Sequence, residues 1–411
     1  MRTLRHAAGP EMSRFGSGAA WWIPLLATLS GACAQIDSGD GSGREAVSRA
    51  ADSQVVYVLS ENPSCRTCTI QLTRLQQIRD SEPPWLGDRV FISRDSRGRL
   101  HAISSQVTPG TIQVLDSTGS RWRSYGRGRG SGPGEGERLV SPFFGPADTA
   151  YVYDTVLARV SVWSPDGELA RTFHIPGGFT SVVVPRAGEL VVAARIPSRG
   201  HAGWPLHVLS GADGSVLRSF GADQAALTPG EARASARRLA KAESGRIWAA
   251  HQGQYLIELW DLEGRKHVEV RGNLERFERS DLPRPSITGV WEDAGLLWVM
   301  IHVADPRYAE NVQKLEDPGD GLGPRIGPAD GHALYDTVLE VIDPASGQLV
   351  ATRRFDDSLN TLGDDAPIIA YRLSADGSPL VDVLRASLAP DRLPRSRPSA
   401  MRYIRGSVTP R

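Results

Sequence analysis

Val162-Trp-Ser-Pro-Asp-Gly167 decides the fold, because the phrase returns along the chain. A bulky apolar pair, an Asp or Ser, and a turn closed by glycine recur four more times. They are Val114-Leu-Asp-Ser-Thr-Gly119, Val208-Leu-Ser-Gly-Ala-Asp-Gly214, Leu259-Trp-Asp-Leu-Glu-Gly264 and Val341-Ile-Asp-Pro-Ala-Ser-Gly347. The glycines stand 47 to 50 residues apart, and a last interval of 83 is one period plus a polar insertion. Glycine permits the positive φ of a tight hairpin, while Asp and Ser bond to the turn backbone. A second phrase, a turn followed by an apolar strand, precedes each of these. It reads Ser96-Arg-Gly98, Pro146-Ala-Asp-Thr-Ala-Tyr151, Arg186-Ala-Gly188, Glu243-Ser-Gly245, Asp293-Ala-Gly295 and Ala375-Asp-Gly377. Four short strands with their turns need roughly 40–50 residues, one blade of a propeller. Blades bury both faces, which explains strands too apolar for clean alternation. The expectation is an all-β, six-bladed β-propeller.

The first phrase to open a blade occurs six times and the second five times, so the last blade lacks an element. A ring cannot leave an edge strand open, since unpaired N–H and C=O groups invite aggregation. The sixth blade runs out of chain near Met401-Arg-Tyr-Ile-Arg-Gly406. A strand over Thr69–Ile78 (TIQLTRLQQI) is expected to complete it, clamping the N-terminal segment to the C-terminal one.

Composition agrees with a folded protein: 411 residues, 40% hydrophobic, 23% charged, 43 Gly, 28 Pro and 10 Trp. With 47 basic and 47 acidic residues the chain is formally neutral, which argues against a nucleic-acid partner. Ala19–Leu29 (AAWWIPLLATL) follows Arg2, Arg5 and Arg14 and precedes small residues, the order of a secretory leader. A spanning helix needs about 20 apolar residues, and Pro24 interrupts this run. Two processing routes fit. Leu29-Ser-Gly-Ala-Cys33 resembles a lipobox, with Cys33 lipidated and held at the membrane, although Ser30 stands where that pattern places a large aliphatic residue. Ala32-Cys33-Ala34 also reads as an A-x-A site that releases a soluble chain. The lipidated route is favoured, and either exports the protein to the periplasm or the outer membrane. The expected organisation is leader 1–34, flexible tether 35–53, N-terminal segment 54–84 and propeller 85–411, with an insertion over about 304–334.

Cys65-Arg-Thr-Cys68 forms the only cysteine pair after the leader. Outside the cytosol it is expected as a local disulfide or an idle dithiol. Thiol–disulfide catalysis would place the first cysteine at a helix N-terminus in a βαβ unit, whereas strand-like Thr69-Ile-Gln-Leu72 follows here.

Gly126-Arg-Gly-Arg-Gly-Ser-Gly-Pro-Gly-Glu135 resembles the G-x-G-x-GPGE linker between blades of NHL-type propellers. Specifically, the chain is similar to the exported six-bladed β-propeller lipoproteins of bacteria, over about residues 54–407, and the C-x-x-C before a strand fits the same group. Later blades lack the linker. The resemblance implies fold and export and carries little functional content. The linker is no phosphate loop, for no G-K-[ST] follows.

Propeller ligands usually meet the channel mouth. Aligning the strand after the first turn gives a column of Ser104, Asp154, Ala194, His251, Ile301 and Val383, with His302 and Asp382 one place off and Arg195 beside Ala194. The ligand-binding candidates are therefore Ser104, Asp154, Arg195, His251, His302 and Asp382. Gluconolactonase-type propellers and NHL-like lyases, which this architecture resembles, hold metal in the channel. No repeated His or acidic ring marks successive blades here. The expectation is a non-catalytic, monomeric binding scaffold without cofactor, whose partner is an envelope protein or a small ligand. The alternative is a metal-dependent hydrolase, lactonase or lyase, with calcium or zinc held near Asp154 and His251.

Overall fold

The computed structural model describes residues 55–390, except 61, 80–84, 87–89, 105–106, 176, 195, 197–205, 222–235, 273–282, 315–325, 329–333, 362–366 and 375–376. The leader, the tether, Cys33, Arg195 and Met401–Gly406 lie outside the described residues.

Two strands come first, β1 (Val55–Val58) and β2 (Cys68–Arg79). Blade one is β3 (Phe91–Arg94), β4 (Leu100–Ile103), β5 (Ile112–Leu115) and β6 (Arg121–Tyr125). Blade two is β7 (Phe143–Phe144), β8 (Ala150–Asp154), β9 (Arg159–Trp163) and β10 (Leu169–His174). Blade three is β11 (Phe179–Arg186), β12 (Glu189–Ala194), β13 (Leu206–Ser210) and β14 (Val216–Phe220). Blade four is β15 (Arg237–Lys241), β16 (Ile247–His251), β17 (Leu256–Trp260) and β18 (Lys266–Arg271). Blade five opens with β19 (Ser286–Asp293) and β20 (Leu296–Ala304). The insertion then folds as a one-turn helix, α1 (Tyr308–Asn311), and a hairpin of β21 (Val312–Lys314) with β22 (Ile326–Pro328), before β23 (Tyr335–Asp343) and β24 (Gln348–Phe355) finish the blade. Blade six is β25 (Leu359–Thr361), β26 (Pro367–Leu373) and β27 (Pro379–Pro390), with β2 as its fourth strand. The chain is a six-bladed β-propeller.

Sheets in this number bury both faces because each packs on two neighbours. An apolar cluster fills every gap between consecutive blades. Between blades three and four, for example, Val183, Leu206 and Phe220 meet Leu239, Ile247 and Trp260. The first strand of each sheet faces the axis: β11 lies against β7 and β15, and β19 against β15 and β25. The inner strands therefore begin together at one end of the ring, which we term the mouth. The hairpins at Gly98, Gly188, Gly245 and Gly295, and those at Gly119, Gly167, Gly214, Gly264 and Gly347, gather at the opposite end.

The recurring glycine has two physical reasons. Its φ is positive at every one of those hairpins. In the outer hairpins it also packs on the preceding blade. A Cβ at Gly214 would lie 2.3 Å from the His174 carbonyl oxygen, and one at Gly264 2.9 Å from Phe220. Blade two manages its first turn without glycine: Ala147 and Asp148 take positive φ, and the Asp148 carboxylate accepts the Ser96 N–H at 2.8 Å.

Closure falls to β2, which runs antiparallel to β27 from Cys68↔Pro390 to Arg79↔Leu380. The strand expected over Thr69–Ile78 thus forms and seals the ring, pairing with Pro379–Pro390. One expectation needs correction. The Gly377 turn joins β26 to β27, the second and third strands of blade six, so it is not a sixth first hairpin. Val383 and Asp382 consequently lie one strand further from the axis than the residues they were aligned with. Blade six also has no fourth-strand hairpin, since its third and fourth strands come from opposite ends of the chain. That is why the second phrase occurs only five times.

The N-terminal segment does more than close blade six. β1 adds a fifth, parallel strand to blade four, from Val55↔Val268 to Val58↔Arg271. Tyr57 donates its hydroxyl to the Ala345 carbonyl at 2.7 Å in blade five. Ser64 N–H then bonds to Leu349 O at 2.8 Å and Cys65 N–H to Val350 O at 3.2 Å, along the outer strand of that blade. The segment is a strap over three consecutive blades.

Candidate functional site

Ser104, Asp154, His251 and His302 sit near the mouth, at or close to the ends of second strands, Asp382 lies on the third strand of blade six, and the structure does not bring these residues together. Ser104 follows β4, and its Oγ accepts the Val107 N–H at 3.3 Å. Asp154 ends β8, buried, with its carboxylate accepting N–H bonds from Glu137 (2.7 Å), Arg138 (3.4 Å), Val156 (2.9 Å) and Leu157 (3.1 Å). It pins the glycine-rich linker to blade two. Asp382 accepts from Gln77 Nε2 at 2.8 Å and pairs with Arg372 at 3.2 Å, tying β27 to its neighbours. Cys65 and Cys68 are joined in a disulfide at the corner where the strap passes from blade five to β2.

His251 belongs to a charged network inside blade four. Its Nε2 lies 3.4 Å from Glu258, which also pairs with Arg237 at 3.1 Å and Lys266 at 3.0 Å and accepts the Trp260 indole N–H at 3.2 Å. Burial pushes the Glu258 carboxyl up, but the His251 hydrogen bond and the Arg237 and Lys266 charges hold it below the usual carboxylate range. Such a network holds a register in place; removing one member leaves the others buried and uncompensated, at a cost of roughly 3–5 kcal/mol.

The mouth itself is made by the first residues of the inner strands, and there the reading from sequence missed its main feature. Arg238, second residue of β15, reaches across to blade three, where Nη1 donates to the Thr180 carbonyl at 3.2 Å. Thr180 Oγ1 donates to Ala193 O at 3.1 Å, and Ser181 Oγ accepts the Leu239 N–H at 3.0 Å, so the anchor is itself held. Arg238 Nε is sealed from solvent without a hydrogen-bond partner, and among the described residues no carboxylate pairs with the guanidinium. Burial pulls it below its ordinary pKa, the direction of a desolvated cation. His302, near the end of β20, points its Nε2 at the Leu359 carbonyl at 2.6 Å, linking blades five and six. Burial lowers its pKa, the Leu359 bond opposes this, and the Arg238 charge adds to the lowering. The other inner strands open with Phe91, Phe143 and Phe179 on blades one to three. Phe91 is 39% exposed. Counting back from the first-hairpin glycine, rather than forward, would have found this ring: Phe91 stands before Gly98, Phe179 before Gly188 and Arg237-Arg238 before Gly245.

No family model matches the chain, and no curated protein matches it. Solved structures do. A member of the DUF4221 family from Bacteroides vulgatus superposes with a TM-score of 0.51 at 10% identity, covering 78% of this chain and 99% of that one. A Bacteroides fragilis protein described as exported gives 0.49 at 11% identity, over 82% and 100%. Virginiamycin B lyase from Staphylococcus aureus gives 0.42 at 7%, over 77% and 99%. At such identities the likeness shows the propeller fold alone.

Proposed function

We propose that the protein is an exported, non-catalytic β-propeller that serves as a binding scaffold in the cell envelope. Export rests on the leader of residues 1–34, with lipidation of Cys33 as the favoured anchor. The scaffold reading rests on Asp154. The carboxylate best placed by sequence to hold a metal or act as a base already accepts backbone N–H bonds from Glu137, Arg138, Val156 and Leu157. Its lone pairs hold a loop, not a ligand.

The test is elemental analysis of protein purified from the envelope, beside Asp154→Ala and His251→Ala. The expected result is no stoichiometric calcium or zinc in any of the three. A stoichiometric metal lost in either variant overturns the scaffold reading in favour of a metal-dependent hydrolase or lyase. Labelling with a radioactive fatty acid, compared with Cys33→Ala, checks the anchor; equal labelling of both chains refutes it.

A further inference from the structure

We infer that the mouth of the channel is a binding site for a small amphipathic organic anion, its carboxylate or phosphate head on Arg238. The inference deepens the scaffold reading, and rests on it, by naming what the scaffold holds. Three observations carry it.

Arg238 is a cation at the entrance of the channel with no described carboxylate partner. Three other shielded cations are matched to carboxylates: Arg99 to Asp95 at 2.6 Å, Arg237 to Glu258 at 3.1 Å, and Lys266 to Glu258 at 3.0 Å. Buried Arg159 instead spends its nitrogens on the carbonyls of Ser131, Gly132 and Glu135, whereas Arg238 has one carbonyl among the described residues. Arg238 is half-buried, with Nε sealed from solvent. A cation partly withdrawn from water without a counter-charge is costly, and an incoming oxyanion on its open side offsets that cost.

The side chain is also fixed before any ligand arrives. Nη1 is held by the Thr180 carbonyl, and Thr180 is held in turn by its own hydroxyl bond to Ala193. A preorganised donor loses little rotamer entropy on binding, which raises affinity. Among the described residues Nη1 is the only nitrogen with a hydrogen bond to the protein, which leaves Nη2 for an oxyanion.

Phenylalanines that open two of the inner strands add apolar surface at the mouth. In a six-fold arrangement blade one lies opposite blade four, so exposed Phe91 begins the inner strand across the axis from Arg238. Half-buried Phe179 opens the neighbouring inner strand, and its ring packs on Tyr153 at 4.2 Å. One charged point and this apolar surface match an acid with a hydrocarbon body, not a bare inorganic ion.

Isothermal titration on envelope-purified protein tests this with octanoate, octyl phosphate, octanol and acetate. One octanoate or octyl phosphate per chain is expected, and whichever of the two binds tighter identifies the head group. Octanol and acetate are each expected to bind at least tenfold more weakly. Arg238→Gln should weaken the anion by about tenfold or more, the worth of a hydrogen bond to a charged group, while Arg238→Lys keeps part of the affinity. Circular dichroism melts of both variants establish that the fold is intact, and Arg238→Lys carries the comparison if Arg238→Gln does not fold. Octanol binding as well as octanoate, equal affinity in the wild type and the variants, or no binding of either anion each overturns the site. The two readings fail separately. Loss of binding sinks the anion site and leaves the scaffold, whereas recovery of a chemically altered octyl phosphate from a bound sample sinks the scaffold and leaves the site.

Discussion

The two ends of the ring are built by different rules. At the hairpin end every turn is short, and glycines with positive φ recur from blade to blade. At the mouth the connections between blades range from residues 356–358 to residues 126–142. The hairpin end repeats because it is packed: each outer turn rests on the last strand of the blade before it, so only one backbone shape fits. The mouth is free of that constraint, which is where propeller chemistry can vary without disturbing the ring. Fold information therefore concentrates at the hairpin end, and the mouth is left free to vary.

Four tests break or sharpen that contrast. The largest effect is expected from deleting residues 54–79, which removes β1 and β2 and opens an edge on blade six. The thermal transition should lose its cooperativity, and an unchanged melt would refute the strap as a structural element. Next comes Asp154→Ala at the mouth end, which takes the acceptor from four part-buried backbone N–H groups. A loss of about 2–4 kcal/mol in urea unfolding is expected, with Asp154→Asn losing less because its carbonyl still accepts. Third, two hairpin glycines separate strain from packing. Gly245→Ala meets nothing within 4 Å and should cost only the left-handed backbone penalty, about 1–2 kcal/mol. Gly214→Ala carries that penalty and drives its Cβ into the His174 carbonyl, so it should cost clearly more. Equal losses would show that the outer hairpins do not rest on their neighbours.

The smallest effect is on acid stability. Burial holds His302 below its ordinary value of 6.5, so the unfolded chain binds the proton more readily than the folded one. The contribution is complete above that value and is lost as pH falls below it. His302→Gln should flatten the decline in melting temperature on the acid side of pH 6.5. It flattens it only in part, since burial lowers His101 too, against the opposing bond to Asp95. Below pH 4 a further decline is expected from Asp95, where burial raises the carboxyl but bonds from His101 and Arg99 hold it at about 2.

Most of the fold was legible because its rules are local. A turn glycine marks its own position, and strand Thr69–Ile78 was found by asking what the last blade lacked. The misplacement of Gly377 shows the limit: a glycine hairpin between second and third strands reads like one between first and second. β1 was missed because Val55–Val58 borrows its partner from β18, far along the chain, and carries no turn of its own. The candidate site was less legible still. Whether a polar residue is available depends on who already bonds to it, and the Glu137 and Arg138 N–H groups that engage Asp154 come from an irregular linker. Arg238 escaped notice because an Arg-Arg pair reads as solvated surface until the inner strand is recognised.

The strap has a consequence for how the protein comes into being. Synthesis delivers Cys68–Arg79 before blade one and Pro379–Pro390 after blade five, yet these two must lie side by side. Every blade between them can collapse on its neighbour while the chain is still being made, but the circle stays a horseshoe until the tail arrives. Through that interval two raw sheet edges are on offer to any other unfinished copy, and dilution or a holding chaperone decides whether the first partner each edge meets is its own.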